Sequence, residues 1–469
     1  MKKQLTVFLI ALFVLGVSFA IVPKKANAIP AFAQKYHFSC AVCHTVFPNL
    51  NPFGRAFWRN GFRLPGTNGT PADATQITQG LSLPNPWPIP IMIEPIISYT
   101  HNGNENINPQ TDAFSAEFDL VAAGAFKVYT PFVNSISFYV HENTNNSTNT
   151  FTQKQVFASL NGIGSGFGIP SHLLNLKIGQ VTTASPYFYR QMPFYLSAGP
   201  VGNGQGLGLA SGVYAGEAGA LIHSRNEGIA LYGTPGYHLW YKVTVTNDKG
   251  SNQYNLINAQ ASNAMEYSYQ LKEYYSLASL GQLEFGYYGA IISEPMSTNG
   301  GISETYNNRV TVNGVDVDLS NDIYELGLTW MEQNDSNPYG PNGITYYNAN
   351  GTFAGSQTSN GYSDFEVYGR YLFPQIGTGL MLSADYATYS FSHKGAQEAY
   401  NGTYGTSCPD ASLYGSAYPS GNCVNNGIKN ALNLEAEYNL AYNAHLYLEY
   451  IFTNHSQDNT LGSGIDFAF

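Results

Sequence analysis

Between Asn430 and Leu440 the chain alternates without a break. Leu432, Leu434, Ala436, Tyr438 and Leu440 fall on one side of an extended strand, and Asn433, Glu435, Glu437 and Asn439 on the other. The same period of two recurs along most of the chain. Phe114, Ala116, Phe118 and Leu120 alternate with Ser115, Glu117 and Asp119; Tyr324, Leu326, Leu328 and Trp330 alternate with Glu325, Gly327 and Thr329. Phe365, Val367 and Tyr371 alternate with Glu366, Tyr368 and Arg370, and Leu446, Leu448, Tyr450 and Phe452 with His445, Tyr447 and Glu449. Such strands have two faces that meet two different solvents. A soluble sandwich alternates in the same way, so the period by itself leaves a sandwich and a membrane barrel open.

Three further features choose the barrel. Tyr and Trp gather near strand ends, as an aromatic girdle at a membrane interface requires. The chain ends Ile465-Asp466-Phe467-Ala468-Phe469, an alternating strand finishing on an aromatic, which resembles the terminal signal of outer-membrane barrels. The connections also alternate in length. Of about 16 candidate strands beginning near Met92, the even-numbered ones are followed by brief links (127–131, 234–236, 373–378, 441–443), while the long stretches 183–226, 333–363 and 392–429 follow odd-numbered ones. An even count with that parity predicts both termini and the short turns in the periplasm, and the long loops outside the cell.

Composition agrees. Only 11% of residues are charged, where a soluble domain carries about a quarter, and the chain holds 36 Tyr, 27 Phe and 48 Gly. That aromatic content excludes disorder. The one long apolar run lies at the start, which excludes a helical membrane bundle. There Lys2 and Lys3 precede the apolar stretch 5–22, and Ala26-Asn27-Ala28 supplies a small-residue cleavage site: a secretory signal peptide over 1–28, with a retained anchor as the alternative. The signal carries four of the 20 basic residues (Lys2, Lys3, Lys24, Lys25) and none of the 31 acids, so cleavage takes the formal charge from −11 to about −15. That acidity excludes nucleic acid as a partner.

About a dozen residues beyond the cleavage site stands Cys40-Ala41-Val42-Cys43-His44. Two thiols one turn apart suit thioether bonds to the two vinyl groups of a haem, and the next residue projects its imidazole onto the iron. A Cys40–Cys43 disulfide and half of a zinc site are the other readings, but no second C-x-x-C or H-x-x-x-H follows to complete a zinc set. The motif reads as covalent haem c, with Cys40 and Cys43 as thioethers and His44 as proximal ligand. After it, Asn51-Pro52 predicts a capped helix start, Phe53, Ala56 and Phe57 one helical face, and Asn60-Gly61 a left-handed stop. The two rings suit a porphyrin edge or ordinary packing on protein.

Here the residues resemble a known family. Pro30-Ala31-Phe32-Ala33, the C-x-x-C-H, Pro48, Leu50, Phe53-Gly54, Phe57 and Gly61-Phe62 are similar to the amino-terminal signature of the outer-membrane monohaem cytochrome–porin fusions. The match covers about residues 29–63, with two departures: Gln34 where Arg is expected and Phe62 where Tyr is common. That family is associated with ferrous iron oxidation at the surface of iron-oxidising bacteria. The resemblance implies an outer-membrane location and one covalent haem c. It also implies extracellular Fe(II) as donor in a ferrous-oxidase type of one-electron transfer, and a periplasmic carrier (a copper protein or soluble cytochrome c) as acceptor.

The expected architecture is therefore an all-β transmembrane barrel with a small α-helical amino-terminal haem module plugging or capping the lumen. Its parts are a signal peptide (1–28), a haem module of one or two short helices and a Gly/Thr/Pro-rich linker (29–88), and a porin-like barrel (89–469). A module of about 60 residues is too small to cover a haem alone, and the barrel wall would complete its pocket. A porin channel whose haem module is a plug or sensor is the alternative function. The lumen-facing acids Glu117, Asp119, Glu284, Glu325, Glu366, Asp385, Glu435, Glu437 and Glu449 attract cations, or are the polar interior common to porins. A methionine as distal ligand raises the haem potential, as a ferrous donor demands. Met92 is nearest in sequence; Met192 and Met381 are alternatives, His37 is sterically awkward, and His101 would give a lower potential. Cys408 and Cys423 share the loop before the fourteenth strand, where a disulfide would close about 15 residues and contribute about 3 kcal/mol, against two free thiols.

Overall fold

In a computed structural model of the chain the alternating segments are strands. The described residues are 38–46, 49–64, 74–78, 81–84, 91–100, 115–128, 130–145, 150–182, 225–248, 264–298, 303–336, 344–347, 353–376, 379–392, 430–441, 444–453 and 460–468, with Phe32 and Tyr36. The strands of the main sheet are β1 Ile91–Thr100, β2 Ser115–Lys127, β3 Ser135–Asn145, β4 Thr150–Asn161, β5 Asn175–Thr182, β6 Arg225–Gly233, β7 Leu239–Asp248 and β8 Ala264–Ser276. They continue as β9 Gln282–Thr298, β10 Ser303–Ser320, β11 Tyr324–Asp335, β12 Asn360–Phe373, β13 Leu380–Phe391, β14 Asn430–Ala441, β15 Ala444–Thr453 and β16 Thr460–Ala468. Each pairs antiparallel with its sequence neighbours, and β16 returns to β1 with Thr460 opposite Thr100 and Ala468 opposite Met92. The result is a closed barrel of 16 strands, with no free edge among them.

The barrel is inside out by the standards of a soluble protein. On β7, Lys242, Thr244 and Thr246 are buried while Val243 between them is 50% exposed. On β8, Glu266, Ser268, Gln270 and Lys272 are buried, and Met265, Tyr267 and Leu271 face outward. The same inversion runs through β10–β15, where Val315, Leu326, Leu328, Val367, Leu382, Leu434 and Leu448 are exposed. Period two dictates this: one face of every strand carries the polar groups, and closure gathers those faces into the lumen. No helix among the described residues is long and apolar enough to cross a membrane.

The links after even-numbered strands form one end of the barrel. Most are brief, as at 321–323 and 442–443, but the one after β4 runs over 162–174 and contains the 3-10 turn Ser165–Phe167. That turn is fastened to the neighbouring link by Gly164 N donating to Phe132 O (2.8 Å) and Gly166 N to Pro131 O (3.1 Å). Ahead of the barrel, the stretch expected as linker contains a two-stranded hairpin, Ala74–Thr78 with Leu81–Pro84. The Thr and Ile residues there favour extended pairing over coil.

A recurring joint strengthens the ladder. Tyr288 lies opposite Gly314, Tyr368 opposite Gly327, Tyr447 opposite Gly464 and Tyr269 opposite Gly289. In each pair the ring occupies the space a glycine side chain would need: a Cβ on Gly327 would stand 1.9 Å from Tyr368 Cε1. The ring so placed delivers its hydroxyl to Asp318 Oδ2 (2.7 Å) and Glu325 Oε1 (2.9 Å). Gly327→Ala displaces the ring and both hydrogen bonds, and should destabilise the barrel by about 1–3 kcal/mol in a urea unfolding titration. Leu328→Ala, on the outer face, should cost less.

Candidate functional site

The C-x-x-C-H segment begins with one 3-10 turn, Cys40–Val42, in which Val42 N donates to Ser39 O at 3.1 Å. With three residues per turn, positions 40 and 43 come to the same side. His44–Val46 then turns back to pair with Asn49–Leu50. The helix α1, Pro52–Arg59, follows directly, with Asn51 as N-cap and Pro52 in its first turn. The Asn51 carboxamide organises this junction. Its Oδ1 accepts from Gly54 N (2.9 Å), while its Nδ2 donates to Ala41 O (3.3 Å) and Val42 O (3.1 Å). The Asn51 backbone N–H donates to Cys43 O at 2.9 Å. Gly54 lets the motif lie against the helix, since a Cβ there would meet Cys43 O at 2.1 Å. Helix and motif are therefore one rigid piece.

Three arginines fix that piece to the inner wall. Arg55, Arg59 and Arg63 stand four residues apart, and all are buried. Arg55 donates to Glu325 Oε1 (3.0 Å), Asp318 Oδ1 (2.9 Å) and Ser320 Oγ. Arg59 forms a two-pronged pair with Glu284 (2.9 and 3.0 Å), donates to Tyr274 OH (2.6 Å), and lies over the rings of Trp240 and Tyr274. Arg63 donates to Ser171 O (3.1 Å) and Asn175 Oδ1 (2.9 Å). Burial opposes the charge on Arg55 and Arg59, but Asp318 and Glu325 around the first and Glu284 beside the second outweigh it, so both guanidinium pKa values are raised. Lys272 completes the network by bridging Glu284 Oε1 (2.9 Å) and Asp316. The contacts come from β5 and from β8–β11 near the short-link end, so α1 lies inside the lumen there.

Aromatic packing closes the other side of the helix. Phe57 meets Phe32 (5.0 Å between centroids) and Tyr36 (5.8 Å), and Trp58 meets Tyr139 of β3 (4.9 Å). Phe62 stacks on Phe32 (5.1 Å) and Phe157 of β4 (6.5 Å). The chain reaches that position through two left-handed residues, Gly61 (φ +67°) and Phe62 (φ +60°). Gly61 is required twice over, because a Cβ there would also approach Asn161 Oδ1 to 2.5 Å. Phe57 thus packs on protein, and Phe53 on Phe38 (6.1 Å).

The predicted site residues distribute as follows. Cys40, Cys43 and His44 sit together on the piece that Asn51 organises, with Cys43 and His44 half-buried and Ala41 exposed. The turn brings backbone positions 40 and 43 to one side with His44 next in sequence, a spacing that fits a covalently held porphyrin, and the close seat at Gly54 holds that turn in place. Met92 is on β1 with its backbone opposite Asp119 and Ala468; its side chain lies outside the described residues. Met381 is buried on β13, opposite Glu437. Met192, His37, His101, Cys408 and Cys423 lie outside the described residues. Of the nine lumen acids expected, the seven from Glu284 to Glu449 are buried, and Asp316 and Asp318 join them. Those two were readable in Val315-Asp316-Val317-Asp318-Leu319, and the arginine ladder in its spacing of four.

Arg55→Ala and Arg59→Ala each strand buried carboxylates, at about 3–5 kcal/mol. The double variant should release residues 38–64 to trypsin and raise conductance in planar bilayers, with the barrel still migrating as a folded species on unboiled gels.

No protein-family model and no curated protein sequence matches the chain. Among solved structures it is similar to an anion-selective porin from Comamonas acidovorans, with a TM-score of 0.50 and 11% identity over 81% of this chain and 98% of that one. OmpF of Salmonella typhi, solved with daunomycin, aligns with a TM-score of 0.49 and 11% identity over 82% and 98% of the two chains. In-vitro-folded OmpT of Vibrio cholerae aligns at 0.47 and 10%, over 85% and 100%. At such identities the likeness is one of fold: the chain has a porin-like antiparallel all-β architecture.

Proposed function

We propose that the chain is an outer-membrane c-type cytochrome built into a porin-like barrel, which takes electrons from extracellular Fe(II) and delivers them to a periplasmic carrier. The observation that carries this reading is the joining of the C-x-x-C-H turn, through Asn51 and Gly54, to a helix whose arginines are buried in the barrel wall. A barrel with an apolar exterior and a polar lumen suits a bilayer, because closure satisfies the backbone within the sheet. The short links and both termini are assigned to the periplasm and the long loops to the outside.

Cys40 and Cys43 would hold the haem by thioethers and His44 would ligate its iron, with Met92 the first candidate opposite it and Met192 and Met381 the alternatives. When bound, the haem supplies a one-electron couple, whose potential a methionine ligand raises. The chain's own part is positional. Asn51 fixes the turn that carries the thiols, Arg55 and Arg59 keep the segment in the lumen against an applied potential, and the aromatic cluster excludes water from its flank. A fixed plug admits charge and holds back matter, so ferric product stays outside.

The fold comparison favours a second reading: a porin-type channel in which the same segment is a plug or sensor and solutes pass. Two measurements on the full chain, expressed with haem-attachment machinery, separate them. The conduit reading expects a haem stain that survives boiling in detergent and is lost in Cys43→Ala, reduction of the haem band on anaerobic mixing with Fe²⁺, and little sugar flux into liposomes. Unstained protein that swells liposomes establishes the channel.

A further inference from the structure

Apart from Glu266 on β8, the buried lumen acids among the described residues fall into two sets. Glu284, Asp316, Asp318 and Glu325 face cations: Arg59, Lys272, Arg55 and Arg370. The second set, Glu366, Asp385, Glu435, Glu437 and Glu449, lies on β12–β15, and each member is buried. The register puts Glu435 directly opposite Glu449, and Asp385 opposite Asn433 one step away on the same face. Like charges opposed across a ladder repel. The cations described on this wall are Arg370, which pairs with Glu325 and whose charge also reaches Glu435, and His445, whose Nε2 is 3.6 Å from Glu437 Oε1. Glu435 is 4% exposed, and among the described residues neither of its carboxylate oxygens has a hydrogen-bond partner. Asp385 Oδ1 and Asn433 Oδ1 are in the same condition, although Asn433 Nδ2 donates to Glu449 Oε1 at 2.6 Å. Buried oxygens of this kind are costly unless something positive or hydrogen-donating meets them.

We propose that this wall is a binding station for a hydrated divalent cation. The chemistry of the patch is all oxygen: carboxylates and one amide carbonyl, which select hard cations over soft ones. Among the described residues no three acid, histidine or cysteine side chains are arranged to hold a bare metal ion. The ion therefore keeps its water shell, and the waters donate to Glu435, Glu449, Asp385 and Asn433 Oδ1, as magnesium-like ions favour. Two charges on one ion relieve the Glu435–Glu449 repulsion. The station deepens the function proposed above, whose donor is a dication, yet it rests on the barrel wall alone and stands with or without a haem.

The test uses full-length protein in detergent at neutral pH, stripped with chelator and titrated with Mn²⁺, with free Mn²⁺ followed by its paramagnetic resonance signal. Saturable binding of about one ion, displaced by excess Mg²⁺, is expected, and the double variant Glu435→Gln/Glu449→Gln should weaken it about tenfold or more. Glu332→Gln, on β11 away from the patch, should bind as the parent does. Both substitutions remove repulsion at constant size, and folding is checked by mobility on unboiled gels. Should the double variant fail to fold, Glu435→Gln alone serves, with a smaller weakening expected. Absence of saturable binding, or equal binding by parent and patch variant, overturns the proposal. So does an infrared band of protonated carboxyl, lost in the variant and unchanged by Mn²⁺, which would assign the relief of repulsion to protons.

Discussion

The arrangement inside this barrel depends on opposite charges meeting where water is scarce. Arg55 between Asp318 and Glu325, and Arg59 on Glu284, are buried pairs in which neither side is tolerable alone. Wall and helix are thus mutually dependent: Asp318, Glu325 and Glu284 need the guanidinium groups, and those groups need the acids. A two-pronged arginine pair also sets direction as well as distance. Anchors four residues apart therefore fix the rotation of α1 together with its depth, and Asn51 passes that fixed orientation to the motif turn.

The same dependence explains a backbone that would otherwise be unfavourable. A phenylalanine in the left-handed region costs on the order of 1–3 kcal/mol, and Phe62 adopts it while almost fully buried. Arg63, one residue on, is held by Asn175 and Ser171, while Phe62 is gripped between Phe32, Tyr139 and Phe157. The turn is determined from both sides, so the strain is tolerated.

Much of the barrel was legible because a strand's faces are written in its own sequence. Leu432 to Glu437 and Tyr324 to Trp330 read correctly with no knowledge of their neighbours, and the cap at Asn51 and the stop at Gly61 are equally local. The socket was not legible in that way. Arg55 finds acids more than 260 residues later in the chain, and no local pattern connects the two. Spacing four in Arg55, Arg59 and Arg63 signals a charged helical face, but an exposed face is the ordinary reading of that signal. The expected linker contained a hairpin for the opposite reason: Gly, Thr and Pro suggested coil, and cross-strand pairing at Thr75–Leu83 overrode them.

The division of the lumen acids bears on what the barrel is for. A wall that only had to be polar needs no carboxylates, and β7 and β8 build most of their lumen face from Thr244, Thr246, Ser268 and Gln270, with Lys242, Glu266 and Lys272 as their charged members. Hydroxyls and amides cost far less to bury than ionised groups. The acids of β9–β11 are accounted for by Arg55 and Arg59 of the helix together with Lys272 and Arg370 of the wall. Those of β12–β15 share Arg370 and His445 and outnumber the amides there. Carboxylates concentrated where neutral groups would fold more easily mark a wall shaped by a positive visitor. On the electron-conduit reading that visitor is the donor ion, brought close to the fixed plug without a passage through it.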